Sequence, residues 1–505
     1  MDRMPLRAMI LFLCSLVSNS AMASFDQAIN ESFKPIAKAL ADIVFFSVPI
    51  NGTQAPIIVM LLVTCGLFFT LYLGFINFRG FGHALRIVRG DYSDKKAPGE
   101  VTHFHALTTA VSGTVGVGNV AHVAIAISIG GPGATFWMII AGLIGMSSKF
   151  AECTLGVMYR QENEDGTVFG GPMFYLEKGM KALNFPKLGK GMAIYYAICI
   201  VIGTLGIGCM FQSNQAYTIF VETTGAQSSY FADKAWIVGG VLGVLTALVI
   251  IGGIKSIAAV TSKLVPLMAG LYIVSALIVI TANADKLPYA FSSIITGAFS
   301  PEGMTGGMVG VLILGFRRAA FSNEAGIGSA SIAHSAVKTR EPVTEGYVAM
   351  LEPFIDTVVI CTITALVIIV TVYEPGVTGA AGISGVELTS AAFESVIPWF
   401  PYILTIVVIL FAYSTMVAWS YYGLAGWVYL FGNGKVTKMT YNLIFCVFVM
   451  IGCAIKLEAV LDFSDAMIFA MALANIIGLA FMAPVVKQEI SDYWGRMAAR
   501  ETEVK

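Results

Sequence analysis

Charged residues are what this chain has least of. They make up 12% of its 505 residues, against 57% hydrophobic, and the formal net charge is −1. A soluble chain carries about twice that charged share, so a water-solvated globular protein is excluded. There is no long basic run, which argues against a nucleic-acid partner. The eight cysteines (14, 65, 153, 199, 209, 361, 446 and 453) form no CxxC pair, and nearly all sit in apolar runs. Neither a zinc site nor a disulfide framework is visible; packing is their expected role. A Walker loop is missing, and with it the engine of ATP-driven transport; H-E-x-x-H and G-x-S-x-G are missing too. GVGNVAHV lies inside an apolar run rather than after a soluble strand. GGPG and GGPM read as a loop and a helix entry, not as phosphate cradles. An enzyme is not indicated.

What the chain has instead is long apolar stretches. A membrane helix needs about twenty apolar residues. Spans are expected near 54–78, 104–128, 133–158, 191–221, 235–253, 263–282, 303–335, 346–373, 401–430, 440–456 and 464–486, eleven in all. Residues 386–399, VELTSAAFESVIPW, read as an amphipathic helix lying over the bundle. Residues 1–23 read as a signal peptide: Arg3 and Arg7 precede the apolar MILFLCSLV, and Ala21-Met22-Ala23 offers a cleavage site. The other reading is an uncleaved, partly inserted N-terminus. Residues 24–53 read as an external amphipathic segment, and 487–505 as a cytoplasmic tail.

Lysine and arginine set the expected orientation. Arg79, Arg86, Arg89, Lys95 and Lys96 follow the first span, and Arg160, Lys178, Lys181, Lys187 and Lys190 follow the third. The opposite loops hold only Lys234, Lys286 and Lys456. The N-terminus is therefore expected outside and the C-terminus in the cytoplasm of a plasma membrane, read here as a bacterial inner membrane.

Two spans carry more glycine and polar residues than lipid anchoring needs: GTVGVGN at 113–119 in the second span and SNEAGIGS at 322–329 in the seventh. Glycine costs roughly 1 kcal/mol inside a helix. Backbone freed in hydrocarbon must find partners in protein, water or a ligand. Both stretches are expected to be breaks at mid-depth, the device of transporters with discontinuous helices. Five spans separate their starts, so they run in opposite directions, as in an inverted repeat of five-helix halves. The competing reading is two glycine-softened packing helices.

TTAVSGTVGVGNV, GGPGATFWM, KFAE followed by MYR, GGPMFYLEKGM, FRRAAFSNEAGIGSASIAH and EGYVAMLEPFIDT resemble the alanine or glycine:cation symporter family, from about Phe104 to Glu489. The chain departs from the family pattern at Gly113, His122, Ile139 and Cys209. The resemblance implies an all-α polytopic protein with a leucine-transporter-like five-plus-five inverted repeat. Residues 54–78 would be an extra helix, 104–282 the first repeat and 303–486 the second. It implies sodium-coupled uptake of a small neutral amino acid, alanine or glycine, with no organic cofactor; the alternatives are another small amino acid or another cation, or a non-transporting amino-acid sensor. Nothing in the sequence signals an obligate protein partner.

The site residues follow from charge complementarity. A substrate carboxylate is expected on the backbone of Gly116, Gly118 and Asn119 at a half-helix N-terminus, with the Thr114 hydroxyl. Its ammonium is expected on carbonyls near Phe321, Ser322 and Asn323 and on the Gln212 amide oxygen; GIGCMFQSNQ resembles the family's motif there. Asn119 and Asn323 could equally stabilise the breaks, and Gln212 could bond between helices. Phe211, Phe321 and Trp419 are candidate walls. The resemblance places sodium between Ser414, Thr415 and the backbone of Val115 and Gly116; taken alone, such a Ser-Thr pair bonds back to its own helix. Intramembrane charges are costly and face the bundle. Arg317 or Arg318 with Glu352 or Asp356 could form an internal gate, or a static interfacial pair. Glu324 is expected to anchor the second break. His103 and His105 read as interfacial at the cytoplasmic edge of the second span, and His122, near the expected pocket, as the histidine expected to confer pH sensitivity.

Overall fold

The computed structural model describes residue 31 and residues 34–50, 53–94, 96–164, 166–299, 307–374 and 385–503. The expected signal peptide lies outside the described residues.

The chain is helical almost throughout, since in a bilayer a helix satisfies its own backbone. The principal rods are α1 (Ile57–Tyr72), α2 (His103–Thr114), α3 (Gly118–Gly130), α4 (Gly133–Met158), α5 (Pro186–Thr223), α6 (Ala235–Ile250), α7 (Gly253–Ala282), α8 (Gly307–Asn323), α9 (Ala330–His334), α10 (Pro342–Thr371), α11 (Phe400–Phe431), α12 (Lys435–Ala454) and α13 (Leu457–Glu503). Among the described residues seven helices are long and apolar enough to cross a bilayer, and the bent pair α2–α3 makes an eighth. The expected eleven are not reached on length and apolarity alone, because α1, α6 and α8 are only 16, 16 and 17 residues long.

Several boundaries differ from expectation. The sixth span was placed from 263, but α7 already starts at Gly253, running through Lys255, Lys263 and the internal Pro266. The expected tail is a continuation of α13. There Tyr493 is buried and meets His83 Nε2 at 2.7 Å, and Arg496 pairs with Glu341 at 2.6 Å. Burial, with Arg86 nearby, lowers His83 to about 4, so its ring is neutral at pH 7. Ser47–Ile50 of the expected external segment pairs antiparallel with Thr53–Pro56, so the expected first span, placed from 54, becomes helical only at Ile57. Val386–Glu394 is a helix too short to span, as expected. It packs on α3, with the Thr389 hydroxyl donating to the Val120 carbonyl at 2.9 Å.

Two rods contain π segments, Gly206–Phe211 in α5 and Phe354–Cys361 in α10. Such wide turns leave backbone groups loosely paired and tend to occur at functional sites. α4 packs against α1, α8 and α10, while α11 packs on α2 and α5, so both breaks lie inside the bundle.

Candidate functional site

Both glycine-rich stretches are breaks. α2 ends at Thr114, Val115 leaves it extended (φ −72°, ψ 97°), and α3 restarts at Gly118 after a bend of 40°. α8 ends at Asn323. There Glu324 (φ 56°), Gly326 (φ 86°) and Gly328 (φ 93°) take left-handed conformations before α9 begins. The first break therefore presents the positive end of α3 and the second the negative end of α8. Among the described hydrogen bonds the N–H groups of Val117 and Gly118 have no partner.

Each break is held by its own asparagine. Asn119 Oδ1 accepts the Gly116 N–H at 2.8 Å, and its Nδ2 donates to Asp356 Oδ1 at 2.6 Å and Ser322 Oγ at 3.3 Å. Asn323 Oδ1 accepts the Ala325 N–H at 3.0 Å, and its Nδ2 donates to Thr357 Oγ1 at 2.9 Å. Both amides thus reach the π segment of α10. Glu324 anchors the second break by accepting from the Ser329 hydroxyl.

Trp419, fully buried on α11, joins the two breaks. Its indole N–H points at both the Gly113 carbonyl (3.1 Å) and Glu324 Oε1 (3.2 Å). The indole lies against the π segment of α5, where a β-carbon on Gly208 would stand 2.3 Å from Trp419 Cβ. Gly208→Ala should therefore displace Trp419 and destabilise the fold by about 1–3 kcal/mol. A lower midpoint of thermal unfolding, with altered tryptophan fluorescence, checks this.

Gln212 follows the same π segment. Its Nε2 donates to the Ile207 carbonyl at 3.1 Å. Its Oε1 is buried without a partner, 3.6 Å from where a β-carbon on Gly116 would be. A buried carbonyl oxygen left open beside a broken helix is an acceptor waiting for a donor. The Thr114 hydroxyl instead bonds back to the Ala110 and Val111 carbonyls, both at 3.4 Å. Thr415 Oγ1 donates to the Ser112 carbonyl at 3.0 Å and would stand 2.5 Å from a β-carbon on Gly116. The Ser112 hydroxyl returns a bond to the Ser414 carbonyl at 2.8 Å, while the Ser414 hydroxyl bonds back to Phe411 at 3.0 Å. Gly116, Gln212 and Thr415 are thus brought together. A cleft between α1, α4 and α8 is lined by Asn323 and Ala325 of the second break but by none of Gly116, Gln212 and Thr415.

The expected gate pairs do not form. Arg317 and Arg318 both bond Asp465 Oδ2, at 2.7 and 2.6 Å, and Arg317 also lies over the Phe45 ring. Glu352 pairs with Lys149 at 3.3 Å, and Asp356 is occupied by Asn119, Ser322 and Thr357. The physical reason is which helices lie side by side. The arginines, on α8 before the second break, reach Asp465 on α13, whereas Glu352 on α10 lies against Lys149 of α4 and Asp356 is taken up by Asn119, Ser322 and Thr357. His103 is also not interfacial. It is buried, 2.5 Å from Glu345 Oε2, and Glu345 Oε1 meets His334 at 2.6 Å.

Asp465, Glu345, His334 and Asn475 were missed as partners. Asn475 Nδ2 bridges Glu152 Oε1 (2.7 Å) and the Gly326 carbonyl (2.9 Å). The available signal for Asp465 was an acid heading the last apolar run.

A family model described as the sodium:alanine symporter family matches residues 42–505. The chain belongs to that family. Among members of the family, the sodium/alanine symporter AgcS of Methanococcus maripaludis is 38% identical over 437 residues, 86% of this chain and 93% of that one. The amino-acid carrier protein AlsT of Bacillus subtilis is 35% identical over 436 residues, 86% and 88% of the two chains. The structure of MhsT in complex with L-phenylalanine matches 77% of this chain and 98% of its own, with a TM-score of 0.55 at 16% identity. That likeness shows the leucine-transporter-like inverted-repeat fold. The family is one of multi-pass membrane amino-acid transporters with sodium as the coupling ion.

Proposed function

We propose that this chain takes up a small neutral amino acid, alanine or glycine, together with sodium, by alternating access. The observation that carries the reading is the open Gln212 oxygen beside Gly116, at a break tied by Trp419 to the second break. The substrate carboxylate would lie at the N-terminus of α3, on Gly116, Gly118 and Asn119. The ammonium would be taken by Gln212 Oε1 and by carbonyls at the end of α8, near Phe321, Ser322 and Asn323. Trp419 would close the pocket and restrict side-chain size.

Sodium prefers several hard oxygen ligands. Ser414 and Thr415, with the carbonyls of Val115 and Gly116, would supply them. Their approach to the first break supports this, since Thr415 and Ser112 already join α11 to α2. The ion would hold the unwound segment in its substrate-binding form, and coupling follows from that linkage. The lysine and arginine asymmetry supports an external N-terminus and a cytoplasmic C-terminus in a plasma membrane.

Uptake in proteoliposomes tests the reading. Labelled alanine should accumulate only with an inward sodium gradient. Binding without flux would mark a sensor, and accumulation without sodium would remove the ion from the mechanism. Ser414→Ala combined with Thr415→Val should raise the sodium concentration for half-maximal uptake by about tenfold or more, with a smaller effect on alanine affinity at saturating sodium. An unchanged sodium titration would place the ion elsewhere.

A further inference from the structure

His122 stands one turn along α3 from Asn119, and residues three apart share a helix face. Its imidazole lies 3.9 Å from Phe321 and 4.9 Å from Phe211, and those two rings are 5.6 Å apart, centroid to centroid. Phe321 directly precedes Ser322, and Phe211 directly precedes Gln212. Three helices that supply the proposed pocket therefore meet in one aromatic triangle.

The ring is fully buried, and neither of its nitrogens has a hydrogen-bond partner. A neutral imidazole carries one donor and one acceptor. Leaving both unmet in a buried site is unfavourable, and a phenylalanine would pack there without that cost. The charges bearing most strongly on the ring are Arg318, Asp465 and Arg317. They are engaged with one another through Asp465 Oδ2. The imidazole therefore has an open donor and an open acceptor beside the proposed pocket.

We infer that His122 reads the substrate side chain and favours an amino acid whose short side chain ends in a hydroxyl, serine above alanine. This rests on the proposed pocket, with the substrate's carboxylate and ammonium at the two breaks. A substrate side chain leaving that position toward His122 meets the triangle within one helical turn. A hydroxyl both donates and accepts, so either imidazole tautomer can serve it. Phe211 and Phe321 close the space beside the ring, which excludes branched or long side chains. A methyl at the same point would leave both nitrogens as they are now.

The test compares sodium-dependent binding of serine, alanine and 2-aminobutyrate, which replaces the serine hydroxyl by a methyl of similar size. Purified wild-type protein should bind serine about three- to tenfold more tightly than alanine, and 2-aminobutyrate more weakly than either. His122→Phe keeps the ring packing and removes both nitrogens. It should rank 2-aminobutyrate above serine. His122→Asn should keep the serine preference. A wild-type protein that ranks 2-aminobutyrate with serine overturns the inference without any variant having to fold. So does an unchanged serine-to-alanine ratio in His122→Phe. If no amino acid binds in a sodium-dependent way, the proposed function itself fails, a different result from alanine binding without discrimination.

Discussion

Asn119→Ala is expected to all but abolish sodium-dependent alanine uptake, with a loss of about 60-fold or more. One amide does two jobs at the first break. Its oxygen takes the Gly116 N–H at 2.8 Å, which keeps the chain from rewinding between α2 and α3. Its nitrogen donates to Asp356 Oδ1 at 2.6 Å in a fully buried setting. Ser322 and Thr357 both donate to Oδ2 of that carboxylate, so the alanine variant leaves Oδ1 without its side-chain donor. A hydrogen bond to a charged group contributes about 1.5–3 kcal/mol, and an orphaned backbone N–H costs about 1–3 kcal/mol more. Each 1.4 kcal/mol is a factor of ten. Together these are about 2.5–6 kcal/mol, so the loss is about 60-fold or more if it falls on the substrate-binding form. Uptake is measured on protein shown to be monodisperse. Alanine uptake within tenfold of wild type would mean that Asn119 does not hold the break.

Lys149→Met should prevent stable folding, and adding Glu352→Gln should restore much of it. Lys149 Nζ is 3.3 Å from Glu352 Oε1, and both side chains are completely buried. Glu324 and Glu152 also act on the same ammonium. Removing one partner of a buried pair costs about 3–5 kcal/mol, because the remaining charge has lost its compensation. Neutralising the glutamate removes that charge, so the double variant should lie well above the single one in unfolding midpoint and in monodisperse yield. Equal instability of single and double variants would show that Lys149 acts through shape or through Glu152 and Glu324 rather than Glu352.

The breaks were legible in the chain because their chemistry is local. Asn119 and Asn323 sit at their own interruptions and bond residues two or three positions away, Gly116 and Ala325. The glycines that permit left-handed backbone are in the same few residues. The partners of the charges were not legible. Arg318 and Asp465 are 147 residues apart, and Asn119 and Asp356 are 237 apart. Such pairs depend on which helices end side by side and at what height, and one chain's periodicity does not encode that. The π segments were missed for a related reason. The extra residue in Gly206–Phe211 is accommodated because Gly208 lets Trp419 pack flush, and Trp419 lies on α11.

Composition and glycine placement were thus enough to establish a membrane-embedded helical chain with two interruptions, since hydrocarbon permits few other solutions to unpaired backbone. The family motifs supplied the transporter class. Only the folded bundle decided that Trp419 bridges the two breaks, that Asp465 receives both arginines, and that Glu345 sits between His103 and His334. Those pairings arise where separate helices cross, and at each crossing a buried polar group has to bond whatever packing brings within reach.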